Sequence, residues 1–177
     1  MFPMLKTDRL VLREISNADA EGMFACFSNE SVTRYYGQDT LDHIEQAEAF
    51  VDFFANSYKD KRGIRWGIEI KGSKGIIGTV GFNAWSLKHR RAEIGYEIHP
   101  EHWRKGYIFE AVSKVIQYGF DELGLTRIGA VVFVENEASN KLLVKAGFQK
   151  EGILREYMYQ NGVAHDTYVY SILKDRE

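Results

Sequence analysis

The sequence predicts an α/β fold, one mixed sheet with helices on both of its faces. Three observations predict it. Segments alternating apolar and polar residues, the period of a strand, interleave with segments whose apolar residues recur at helical spacing. The stretch Ile128 to Val134 is nearly all apolar, as in a strand covered on both faces. Asn161-Gly162 sits between two such strands and is a favoured two-residue hairpin turn. The resulting order is β-α-α-β-β-β-α-β-α-β-β, seven strands and about four helices in layers.

The elements follow in order. Arg9 to Glu14 reads as the first strand, and Ser16 and Asn17 are good N-caps for the helix behind it, which carries Met23, Phe24 and Phe27 on one side. A second helix follows Leu41, with Ile44, Ala47, Phe50, Val51 and Phe54 as its stripe. Trp66 to Ile70 and Ile76 to Trp85 are the arms of a hairpin turning at Gly72-Ser73-Lys74-Gly75. After the basic turn Lys88-His89-Arg90-Arg91 comes a strand from Ala92 to Ile98. Ala92, Ile94, Tyr96 and Ile98 share one face; Glu93, Gly95 and Glu97 share the other. A long helix runs from Gly106 to about Leu123, with Val112, Val115, Ile116 and Phe120 as its stripe and Gly124 as C-cap. Glu137 to Ala146 is helical and ends at Gly147.

Composition bounds the function classes. A chain of 177 residues suits one domain, spanning 1–177, with no Pro/Gly/Ser-rich linker to divide it. The net charge of −2 argues against a nucleic-acid binder, which usually shows a basic face. No apolar run is long enough for a spanning helix and the N-terminus has no apolar core of a signal peptide, so a soluble cytoplasmic protein without a membrane partner is expected. One cysteine, Cys26, allows no internal disulfide; placed among Met23, Phe24 and Phe27 it reads as a buried thiol. His99 and His102 are three apart, but nothing else clusters at zinc-like spacing, so no metal is expected. There is no GxSxG elbow.

The stretch from His99 to Ala111 is the most informative. A strand ends, a loop crosses, and a helix starts at Gly106 behind Arg104 and Lys105. The first amides of a helix lack partners within it and point outward at the positive end of its dipole, which makes a pyrophosphate site. Glycine would let the backbone approach the anion closely. The bland alternative is a solvated loop before an ordinary helix.

In context, Ala92 to Ile98, then Trp103-Arg104-Lys105-Gly106-Tyr107, then Glu110-Ala111, resembles the core motif of the GNAT acetyltransferase superfamily, in particular its RimJ/RimL-type ribosomal-protein N-acetyltransferases. Thr7 to Arg13 is similar to that branch's opening strand. Asn136 to Asn140 with Gly147-Phe148 is similar to its fourth-helix motif, and Glu151-Gly152, Arg155-Glu156, Asn161-Gly162 and His165-Asp166 to its closing hairpin. The resemblance implies a mostly antiparallel mixed sheet, acetyl-coenzyme A as co-substrate and an amine as acceptor. It implies that amides around Arg104, Lys105, Gly106, Tyr107 and Ile108 hold the pyrophosphate, with Trp103 in the same motif. It implies that the strand end at Ile98 pairs with the pantetheine arm, that Asn136 bonds that arm, and that Ser139 lies near the thiol. Two positions depart from the pattern. Ile108 stands where a small residue is usual, and Leu143 where many relatives carry a tyrosine as general acid; Ser139 would stabilise the sulfur instead.

An amine attacks a thioester only when neutral, and an α-amine, with a reference pKa of about 8, needs less help than a lysine at about 10.4. The resemblance implies a base at the point matching Glu93, which makes Glu93 the expected base over solvent exposure or pairing with Arg90 and Arg91; Glu97 and Glu156 are further candidates, but solvent exposure or pairing with those arginines is expected of Glu97 and a salt bridge of Glu156. Tyr35, Tyr36, Trp85, Tyr157 and Tyr159 are candidate acceptor-pocket walls. Three readings stay open: transfer to a protein N-terminus, transfer to a small amine such as a polyamine, antibiotic or amino acid, and a non-catalytic module that binds acyl-coenzyme A. The oligomeric state is open too, a homodimer included.

Overall fold

The computed structural model describes residues 1–175; the last two positions of the expected 1–177 domain lie outside the described residues. Eight strands form one sheet: β1 (Leu5–Lys6), β2 (Leu10–Glu14), β3 (Ile64–Ile70), β4 (Ile76–Ser86), β5 (Arg91–Ile98), β6 (Arg127–Phe133), β7 (Gln149–Gln160) and β8 (Val163–Leu173). Their spatial order is β1-β2-β3-β4-β5-β6-β8-β7. Every pairing is antiparallel except β5 with β6. The helices are α1 (Ala20–Phe27), α2 (Glu30–Thr33), α3 (Ile44–Lys59), α4 (Tyr107–Asp121) and α5 (Glu137–Lys145).

Two elements exceed the expected seven strands and four helices, and both are too short to show a period. β1 is a two-residue strand whose Leu5 pairs with Leu12. α2 is one turn, capped where the Asn29 side chain accepts from the Ser31 amide at 2.9 Å. The Ser16 signal serves a single 3₁₀ turn, Asn17–Asp19, and α1 begins only at Ala20. There Asp19 accepts from the Ser16 amide at 2.9 Å and from Arg13 at 2.8 Å.

The alternation of β5 takes effect as a division of labour between the sheet's faces. Ile94 is buried with Val80, Phe82, Trp66 and Ile68 against α4, whose Ala111, Val112 and Val115 are fully buried, and Ile98 on the same face of β5 is buried too. The opposite side is covered by α1 and α3, where Met23, Phe27, Ala47 and Val51 enclose a second, smaller core. Cys26 lies beneath that layer, 1% exposed, its thiol donating to the Ile77 carbonyl at 3.4 Å; burial pushes it up to about 12. It has no character of a nucleophile.

Candidate active site

Strands β5 and β6 pair only through Arg91↔Arg127, Ala92↔Ile128 and Glu93↔Gly129. Beyond that rung β5 stays bonded to β4 as far as Ile98, and β6 to β8 as far as Phe133. The sheet therefore opens between them. Ile94 to Ile98 on one side and Ala130 to Val132 on the other line a cleft of about 1620 Å³. Backbone groups that faced β6 along a continued ladder have no strand partner here, and such groups demand a polar partner. An extended arm carrying amides meets that demand.

The cleft runs up to the turn before α4. Arg104 and Gly106 both adopt left-handed backbone, φ 61° and 79°, and Gly106 is the N-cap. From Arg104 to Phe109 no backbone amide donates to a protein acceptor among the described residues; Glu110 is the first to do so, to the Gly106 carbonyl at 3.1 Å. The turn thus presents uncapped amides at a helix N-terminus, flanked by the exposed cations Arg104 and Lys105. Ile108 packs in part on the main core and also lines the cleft.

The turn is braced from two sides. The Trp103 indole donates to the Ile98 carbonyl at 2.9 Å, tying the strand end to the loop; that carbonyl is engaged by protein, which leaves the rest of β5's open edge for a ligand. On the other side Glu110 accepts from the Thr7 hydroxyl at 2.5 Å, from the Arg9 amide at 2.9 Å and from Arg9 Nε at 2.7 Å. Arg9 Nη1 in turn donates to the Lys105 carbonyl at 2.8 Å, and Nη2 would stand 3.3 Å from a Cβ at Gly106. Thr7 and Arg9 lie about a hundred positions from Glu110, so no local pattern in the sequence joins them.

Burial alone would raise the Glu110 carboxyl, but the Thr7 and Arg9 hydrogen bonds outweigh it and hold it below its ordinary value of 4.5. A depressed carboxylate stabilises the fold above its unfolded-state value, and that contribution is lost as pH falls through the folded value. Glu110→Gln is therefore expected to unfold at lower denaturant than the parent at pH 7. The gap should narrow as urea midpoints are taken below about pH 4.5; a gap that widens in acid would contradict the brace.

At the far wall, Asn136 caps α5 through Oδ1, which accepts from the Ser139 amide at 3.2 Å, so its side-chain NH₂ remains for the cleft. Ser139 Oγ lies 2.5 Å from the Tyr96 hydroxyl. Burial is the main reason the Tyr96 phenol is pushed up to about 12. Leu143 is fully buried in the core.

The polar face of the sheet differs most from expectation. Glu97 neither meets solvent nor pairs with Arg90 or Arg91. It is 5% exposed and accepts from Arg65 Nη2 at 2.6 Å, Tyr36 at 2.8 Å and the Thr79 hydroxyl at 2.5 Å. Arg65 also donates from Nε to Thr79 at 2.8 Å. Arg90 instead reaches the Gly124 carbonyl at 2.8 Å. Glu93, half-buried at the last shared rung, lines the cleft and has no hydrogen bond or ion pair among the described residues. Glu156 is exposed on β7 and forms no ion pair among the described residues; its amide donates to Asp166 at 2.8 Å. Of the expected aromatic walls, Tyr35 and Tyr36 line the cleft. Trp85 lines a separate small cavity, and Tyr157 and Tyr159 are 51% and 70% exposed on the edge strand β7, whose alternate residues Met158 and Gln160 line the cleft instead.

The chain is similar to known proteins along its length. The model of the Acetyltransferase (GNAT) domain matches residues 9–149. Over the full length of both chains the sequence is 64% identical to "Uncharacterized N-acetyltransferase YoaA" of Bacillus subtilis (strain 168). Among solved structures, the ribosomal-protein-S5-alanine acetyltransferase from Vibrio fischeri superposes with a TM-score of 0.83 at 25% identity, covering 98% of this chain and 97% of that one. The spermidine N-acetyltransferase from Vibrio cholerae, in complex with CoA and spermine, does so with a TM-score of 0.83 at 26% identity, covering 94% and 96%.

Proposed function

This chain belongs to the GNAT acetyltransferase family, and from that membership we propose that its acceptor is the α-amine at the N-terminus of a polypeptide, of the ribosomal-protein type. It is an N-acetyltransferase with acetyl-coenzyme A as co-substrate. One observation carries the reading of the site. Where β5 leaves β6 at Glu93, an open backbone edge, the uncapped turn at Gly106 and an unpaired carboxylate all come to one cleft.

The residues divide the work as follows. Amides from Arg104 to Ile108 grip the pyrophosphate, with Arg104, Lys105 and the braced Arg9 adding charge. The open edge of β5 and the Asn136 amide hold the pantetheine arm. Glu93 takes the amine's proton, directly or through one water, as the nitrogen bonds to the acetyl carbon. An amide of the β5 edge steadies the charge growing on the thioester oxygen. As the carbon–sulfur bond breaks, the Ser139 hydroxyl donates to the departing sulfur. Tyr96 directs it: a phenol is the better donor of the two, so it donates to Ser139 Oγ and leaves the serine proton free to point at sulfur. At about 12 the phenol does not surrender its proton to a thiolate whose own pKa is near 8.5. Its role is orientation.

The cleft exceeds the roughly 300–1,000 Å³ of a usual small-molecule pocket, which leaves space for a chain end beside the cofactor arm. A small polyamine is the second reading. It is favoured by the neighbour bound to spermine and by the exposed carboxylates Glu30 and Asp39 on the cleft. Thiol release from acetyl-coenzyme A, followed with peptides, free amino acids and polyamines, decides between them; the reading expects peptides with free N-termini to turn over fastest. In that assay Tyr96→Phe should lower kcat by about tenfold, the worth of one directed hydrogen bond, with KM for acetyl-coenzyme A unchanged. Adding Ser139→Ala should cost little more, since the two hydroxyls act as one unit. Additive losses would separate Tyr96 from Ser139.

A further inference from the structure

The guanidinium of Arg65 is 94% buried by side-chain exposure, yet its bonds are made from only part of its fork. Nε binds Thr79, and Nη2 binds both Tyr36 and Glu97. Nη1 has no protein partner among the described residues. It is also absent from the sealed, unsatisfied side-chain atoms, so it keeps contact with the cleft that Arg65 lines. An acceptor that displaces water from the cleft must supply that donor with a partner of its own.

The surroundings explain what it is aimed at. Arg65, Gly81 and Gly95 are matched across β3, β4 and β5; Asn83 and Glu93 are matched one rung along, on the same face. A Cβ on Gly95 would come 2.7 Å from Arg65 Nη1 and 3.5 Å from Asn83 Oδ1. Glycine at 95 is thus what allows the guanidinium to lie across β5 beside Asn83. The Asn83 amide has no partner among the described residues either, and it too lines the cleft. Directly opposed residues on neighbouring strands sit about 5 Å apart at Cβ, so Glu93 is next in the row. The face presents a proton acceptor and two donors on neighbouring rungs.

We propose that Arg65 Nη1 and the Asn83 amide receive the carbonyl oxygen on the carbon next to the acceptor's amine, so that the enzyme selects an α-aminoacyl group over amines that lack one. This rests on Glu93 facing the acceptor amine, as in the reading above. Glu97 neutralises Arg65 from behind, so the open N–H meets a carbonyl dipole without a net charge to balance. A polyamine would bring a second cation towards the guanidinium and leave its donor empty. The chemistry is shared by polypeptide N-termini and free amino acids, whose carboxylate offers the same oxygen.

The test is steady-state kinetics of the full chain at saturating acetyl-coenzyme A, with rates expressed per neutral amine so that differing amine pKa values do not intrude. Four acceptors are compared: a tetrapeptide, the same tetrapeptide with its first carbonyl reduced to methylene, the free amino acid, and spermidine. The tetrapeptide should exceed its methylene analogue in kcat/KM by about ten- to a hundredfold, the cost of an unmet buried donor. The free amino acid separates the two sources: rates like those of the tetrapeptide mean that the carbonyl alone is read, and slower ones that chain length is read as well. Asn83→Ala, an exposed position that does not threaten the fold, should shrink the preference for the carbonyl several-fold. Arg65→Gln together with Glu97→Gln removes the guanidinium without orphaning a charge and should abolish the preference. Equal rates for tetrapeptide and methylene analogue would overturn the carbonyl site while leaving N-terminal acetylation standing, as would a preference that survives both variants. Turnover of spermidine with none of any peptide would overturn both.

Discussion

Glu93→Gln is expected to lower kcat with a peptide acceptor by about a hundredfold at pH 7, the usual worth of a positioned base, and to leave the dissociation constant of coenzyme A unchanged. Glutamine keeps the shape and polarity of the side chain and removes only its capacity to take a proton. Nothing else in the row can substitute, because Glu97 is committed to Arg65, Tyr36 and Thr79. Coenzyme affinity is set at the Gly106 turn and along the β5 edge, which this change does not touch. The pH profile supplies a second readout. The variant should follow the acceptor's own ionisation, near 8 for an α-amine, so its deficit against the parent narrows as pH rises towards 10. Stopped assays from pH 6 to 10 check this; a deficit smaller than threefold at pH 7 would remove Glu93 from the reaction.

Glu97→Ala should destabilise the protein by about 3–5 kcal/mol, the usual result of removing one partner from a buried ion pair. The carboxylate is 2% exposed by side chain and serves three donors at once, so its loss strands a guanidinium, a phenol and a hydroxyl. For a chain of this length that corresponds to a fall in melting temperature of roughly 10 °C. Glu97→Gln should cost less, since its carbonyl still accepts. Urea unfolding of the three proteins at pH 7 measures the difference, and equal midpoints for parent and Glu97→Ala would show that the network holds nothing together. The same experiment separates the glutamates of β5: Glu93→Gln should leave the midpoint nearly unmoved, because that side chain has no partner to lose.

These two residues also mark how far the sequence could be read. Their spacing placed Glu93 and Glu97 on one face of a strand, and that is where they lie. It could not say that one would be buried among partners and the other left free. Arg65 is 32 positions from Glu97, and nothing in either local pattern joins them. The aromatic walls failed for a similar reason. Tyr157 and Tyr159 sit on the closing hairpin as expected, but the register of β7 turns their neighbours Met158 and Gln160 to the cleft and leaves the two tyrosines exposed.

What the sequence by itself determined was everything set by neighbours along the chain: the alternation of β5, the stripe of α4, and a glycine at the one turn before α4 that needs left-handed backbone with free amides. Periodicity and backbone sterics act over a few residues, so they are written locally. The tertiary structure alone decided which groups meet. Arg9 with Glu110, Tyr96 with Ser139 and Glu97 with Arg65 are pairings made by strand order and helix packing. For Glu97 with Arg65 burial then makes the pairing obligatory, because a charge taken out of water must find its partner wherever in the chain that partner lies.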